Sequence, residues 1–153
     1  MNTDKFQQFL LQSAVTMMAC DGDIDKEEVA EIKNMAENEI YFLGFDIDEP
    51  LTKGIDYIKS KGKTAVNEYL DELTKSHLND QQELLLIEVL LRTIVADSKV
   101  EDNEVKFLQL VISKLSVDQE TLIMNFPKHI NILIDFNNYG LHEEFTEEIT
   151  FEN

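Results

Sequence analysis

Cysteine, proline and glycine are scarce in this chain of 153 residues. The single cysteine, Cys20, excludes an internal disulfide and points to a reducing compartment. Two Pro and five Gly leave little punctuation, which suits long helices joined by short loops. Basic residues are few: 13 Lys and Arg stand against 31 Asp and Glu, a formal net charge of −18. That balance argues against nucleic acid and against anionic membrane surfaces, because both need cationic patches. It suits cations or basic protein surfaces instead. Long apolar runs are missing too; Leu84 to Ile87 is far too short to cross a bilayer. The start, Met1 to Lys5, is polar, so the expectation is a soluble, cytoplasmic protein with no membrane insertion.

What is present is enough for a core. Apolar residues make up 43% of the chain, nine Phe among them, and the length suits one domain that needs no staple. Their spacing is helical nearly everywhere. Phe6, Phe9, Leu10, Ala14 and Met17 mark a helix over about 4–20, and Val29, Ile32, Met35, Ala36 and Ile40 a second over about 25–43, with Gly44 as its stop. Asp48 and Pro50 open a third, and Gly62 separates it from a fourth on Ala65, Tyr69, Leu70 and Leu73. Asn79 with Gln82 reads as a capping box for a fifth, about 80–96, the most apolar and so the one expected at the centre. A sixth covers about 102–115. Ser116 with Gln119 reads as the cap of a seventh that ends before Pro127. The stretch from Ile130 to Phe136 fits a short strand or a helix turn.

One internal similarity stands out. Ala19-Cys20-Asp21-Gly22-Asp23-Ile24-Asp25-Lys26-Glu27-Glu28-Val29 matches Val95-Ala96-Asp97-Ser98-Lys99-Val100-Glu101-Asp102-Asn103-Glu104-Val105 at an offset of 76, half the chain. Each copy ends one helix and begins the next, so two related helical hairpins packed about a pseudo-two-fold axis are expected. Asp25 and Glu28 suit a capping box, with Ile24 and Val29 as its staple; Glu101 is a poorer cap than Asp. Gly22 suits a left-handed residue closing the first helix. Asp21 and Asp97 sit at helix C-termini, where the macrodipole disfavours negative charge by roughly 0.3–1 kcal/mol, so a backbone N–H, a Lys or a cation should compensate.

A helix running into Ala-Asp-Gly-x-Ile-x-x-x-Glu, repeated in the second half, resembles the TerB family of tellurite-resistance and stress-response proteins. The first copy has Cys20 for Ala and the second Ser98 for Gly. The resemblance covers about residues 5–125. It implies an all-α fold of about seven helices in a compact bundle with two pseudo-symmetric hairpins, a cytoplasmic location and no known catalytic activity. The expected division is a TerB-like helical domain over 1–126 and a C-terminal extension over 127–153, packed on or extending from that domain.

The duplicated acids frame the chemistry. Asp21, Glu28, Asp97 and Glu104 could form a divalent-cation site for Ca²⁺ or Mg²⁺, since carboxylates are hard ligands and a two-fold axis could join the loops. The plainer reading is that these acids close turns and cap helices, since capping geometry accounts for much of the motif unaided. An EF-hand is excluded on spacing: from Asp21, position six is Lys26 rather than Gly and position twelve is Ile32 rather than Glu. No other cofactor is expected. Cys20 aligns with Ala96, which suggests a small buried residue rather than a reactive thiol. His77, His129 and His142 are scattered without metal-ligand spacing, and no phosphate loop, nucleophile elbow or zinc motif occurs. In the tail, Glu143, Glu144, Glu147 and Glu148 alternate with Phe145, Ile149 and Phe151, which fits folding back onto the bundle or docking on a basic, apolar groove. The expectation is a non-enzymatic interaction or accessory module of a bacterial stress or defence system, offering an acidic surface to a protein partner; the alternative is a metal-binding or metal-sensing module.

Overall fold

The first helix, α1 (Thr3–Met18), sets the frame. Asn2 caps it by accepting the Lys5 N–H at 2.9 Å, and its apolar stripe of Phe6, Phe9, Leu10, Ala14 and Met17 is buried. The computed structural model describes residues 1–134, apart from Ser98 and the side chain of Asp21. Among these residues the order is α1, α2 (Lys26–Asn38), α3 (Asp48–Lys61), α4 (Lys63–Lys75), α5 (Asp80–Ile94), α6 (Asp102–Ser113), α7 (Gln119–Asn125) and α8 (Ile130–Leu133). Short 3-10 turns occur at Ala19–Asp21, Ile40–Phe42 and Pro127–His129, and no strand is found among the described residues.

Helix α5 lies at the centre, as its composition predicts, with Leu86, Ile87, Val89, Leu90 and Ile94 fully buried. It packs on α1, α2 and α6, while α1 also packs on α3, α4 and α6. Each hairpin's first helix therefore touches the other hairpin's second helix, the pattern expected of two copies facing one another. Tyr69 of α4 locks this core. Its ring stacks on Phe9 at 5.2 Å between centroids and tilts against Phe107 at 5.7 Å. Its buried hydroxyl lies 2.6 Å from that of Ser13. Burial therefore pushes the Tyr69 phenol well above its ordinary range.

The caps explain several boundaries. Asn79 and Gln82 form the reciprocal box expected at α5, at 2.8 and 3.1 Å. Gly62 separates α3 from α4 at φ +55. Two expectations are corrected. Helix α2 ends at Asn38 rather than near residue 43, because Glu39 turns extended and the chain re-enters a 3-10 turn before Gly44. Helix α7 is capped by Asp118, which accepts the Thr121 N–H at 2.8 Å, and not by Ser116. The Ser116 N–H donates instead to the buried Glu83 carboxylate at 2.9 and 3.0 Å, joined by the Val117 N–H at 2.9 Å. The stretch after Pro127 is helical: α8 docks on α6, where Gln109 Nε2 donates to the Ile132 carbonyl at 3.0 Å. The tail expectations on residues 135–153, His142 included, fall outside the described residues.

Candidate functional site

The two related turns differ in how they close. After α1, the 3-10 turn Ala19–Asp21 ends at Gly22, whose φ of +87 is the left-handed conformation expected there. Asp25 then caps α2, accepting the Glu27 N–H at 3.2 Å, one position earlier than a box with Glu28 would place it. After α5, the Asp97 carboxylate accepts the Lys99 N–H at 2.8 Å. A turn N–H thus answers the negative charge at this helix end. Glu101 begins α6 without a side-chain cap bond, in keeping with its weaker capping chemistry.

The turns meet. Asn103 Nδ2, at the start of α6, donates to the Cys20 carbonyl of the other copy at 3.2 Å. The Asp97 and Asp25 carboxylates face each other within 4.8 Å, and a proton shared between them holds the Asp97 carboxyl above its usual range and the Asp25 carboxyl below it. Glu27 is likewise pushed up by its hydrogen bond with Asp25. Ligand-capable oxygens of Asp25, Glu27 and Asp97 all lie within 4.8 Å of one another. This is a half-exposed carboxylate triad drawn from both repeats. It can share protons, attract a cation or face a basic surface.

Of the four residues singled out from the sequence, Asp97 belongs to this triad. Glu28 and Glu104 are buried, at 2% and 1% exposure, and the Asp21 side chain is outside the described set. The reason is periodicity. Glu28 heads the inward stripe continued by Ile32 and Met35, and Glu104 heads that of Phe107, Leu108 and Val111. Glu27, one residue off the stripe, faces out. The repeat marks Asp25 and Glu27 only as acids at the start of α2; that they meet Asp97 is set by how the hairpins pack. At the offset of 76, the triad Asp25, Glu27 and Asp97 has its symmetry mate in Glu101, Asn103 and Asp21. The mate carries an amide where the triad carries the Glu27 carboxylate, and that amide is the one that binds the Cys20 carbonyl.

Cys20 is buried, its Sγ 3.3 Å from the Thr16 carbonyl. A cavity of about 370 Å³ opens between α1, α3 and α4 over Leu11, Val15 and Ile58. Its charged rim residues, Glu49 and Lys53, are paired with each other at 2.6 Å. Among the described residues, no helix is long and apolar enough to cross a membrane.

Two helix–turn–helix copies packed turn to turn, with carboxylates from both at the junction, define an all-helical module of duplicated acidic hairpins. The chain belongs to the TerB family: the family model described as "Tellurite resistance protein TerB" matches residues 8–125, from the second turn of α1 to the end of α7. No curated protein and no solved structure matches the chain.

Proposed function

We propose that this TerB-family chain is a non-enzymatic interaction or accessory module of a bacterial stress or defence system, working in the cytoplasm and offering an acidic surface to a protein partner. The observation that carries this reading is the convergence of Asp25, Glu27 and Asp97 at the junction of the repeats, in a chain of net charge −18. Acidic groups held at a fixed turn steer and orient a basic partner. Affinity capture from the native host tests the reading, followed by rebinding of the purified components at low and high salt. A complex weakened by salt and by Asp25→Asn with Asp97→Asn is expected. A chain recovered alone under all conditions counts against the module.

The same convergence favours a second reading, a divalent-cation site. Three carboxylates that can turn oxygens to one point match the hard-ligand chemistry of Ca²⁺ or Mg²⁺. Calorimetric titration with Ca²⁺, Mg²⁺ and Mn²⁺ decides it. Saturable heat lost in Asp97→Asn supports the site, and its absence in the native chain removes it.

A further inference from the structure

The connection between α2 and α3 exposes apolar side chains where the chain had every opportunity to hide them. Ile40 is 83% exposed and Leu43 75%, whereas Phe42 between them is buried. The turn that carries them is tied down on all sides. The Leu43 N–H closes it on the Ile40 carbonyl at 3.0 Å, which brings Leu43 back beside Ile40. Gln7 Nε2 of α1 donates to the Tyr41 and Leu43 carbonyls, at 3.3 and 2.9 Å. Arg92 of α5 donates to the Tyr41 hydroxyl at 3.1 Å and pairs with Glu39 at 3.4 Å. The Phe42 ring anchors the turn from beneath, stacked on Phe45. Two aliphatic side chains are therefore presented outward on a turn that has few other conformations to lose on binding, the condition under which apolar contact converts to affinity.

The surroundings select the occupant. From Asn34 to Thr52 the chain carries Glu37, Glu39, Asp46, Asp48 and Glu49 and no Lys or Arg, with Glu39 paired to Arg92 of α5 and Glu49 to Lys53, so the acids still outnumber the cations that reach them. A second copy would set acid against acid at a net charge of −18 each, and an anionic bilayer would meet the same repulsion. We infer that Ile40 and Leu43 are the docking knob for a protein surface that joins an apolar cleft to flanking Lys or Arg. This inference rests on the reading of the chain as an interaction module and gives that module a contact point away from the triad.

The test uses the full chain, ¹⁵N-labelled and titrated with a synthetic amphipathic peptide of Leu and Lys, against a Ser and Lys peptide of equal length and charge. Saturable shifts centred on residues 40–45 are expected, at least tenfold tighter for the Leu-containing peptide. Ile40→Ser with Leu43→Ser should weaken it at least tenfold with an unchanged melting curve. Equal binding of the two peptides overturns the inference. So do shifts centred on Asp25 and Asp97, undiminished binding by the double variant, or concentration-dependent shifts at residues 40–43 without peptide, which would mark self-association. A native complex that survives the double variant would remove the knob and leave the module reading standing; absence of any native complex would remove the module reading.

Discussion

The carboxylate of Asp97, just beyond α5, lies within 4.8 Å of that of Asp25, the residue that caps α2 in the other repeat. The contact joins positions that are not equivalent in the two copies. It therefore reports that the hairpins cross, each turn reaching the start of the other copy's second helix.

That pairing sets a pH dependence. A proton shared with Asp25 raises the Asp97 carboxyl in the folded chain. A raised acid adds stability that is present below its unfolded value and lost as pH rises through the folded value. Once the shared proton is lost, the two carboxylates repel. Asp97→Asn supplies a permanent donor, so its melting temperature should exceed the native one by about 1–3 °C at pH 7. The advantage should shrink to nothing as pH falls below the ordinary carboxylate range. Thermal melts across pH measure it; a destabilised variant at pH 7 would contradict the pairing.

Glu83 should matter more than an exposed cap. Its buried carboxylate takes the Ser116 and Val117 N–H groups that join α6 to α7. Glu83→Ala strands those donors and should cost about 2–3 kcal/mol in urea unfolding. Asp118→Ala, which removes an exposed N-cap, should cost clearly less. Equal losses would mean that Glu83 does not hold the loop.

Arg92 is the only arginine in the chain, and it ties α5 to Glu31 at 3.2 Å, to Glu39 and to Tyr41. Its side chain keeps 28% exposure, which screens the ion pairs, so Arg92→Met should lose only about 1–2 kcal/mol. The local effect should be larger. Amide hydrogen exchange at Phe42 and Leu43, whose N–H groups close the 3-10 turn, should accelerate well beyond the global change.

Alkaline titration should be biphasic. Burial lifts the phenols of Tyr69 and Tyr41 above their ordinary value, and the neighbouring Glu88 adds to the shift at Tyr41. Their contribution is present below the unfolded tyrosine value and lost as pH rises beyond it. Tyr57 is exposed and is raised mainly by its hydrogen bond to Glu68. Absorbance at 295 nm should therefore show Tyr57 ionising in the folded chain and Tyr69 only together with loss of helical circular dichroism. Complete ionisation before unfolding would contradict the buried placement of Tyr69.

The fold was legible in the sequence where periodicity and capping agreed: the Asn79–Gln82 box, the Gly22 turn and the apolar α5 all stand where local chemistry puts them. The site was legible only in part. Glu28 and Glu104, which recur in both copies, stand buried at the head of the inward stripes, a placement their periodicity carries. The triad depends on which turn crosses to which helix, a tertiary fact that single-helix patterns do not carry. Ser116 misled for a similar reason: its N–H is claimed by Glu83, more than thirty residues away in sequence.

A double-mutant cycle on Asp25 and Asp97, each changed to Asn and then both together, probes the meeting of the repeats most directly. Followed by equilibrium unfolding at pH 7, it should show effects that do not add, because each replacement alters what the other residue faces. Strict additivity would place the two side chains apart and contradict the meeting of the two turns at this point.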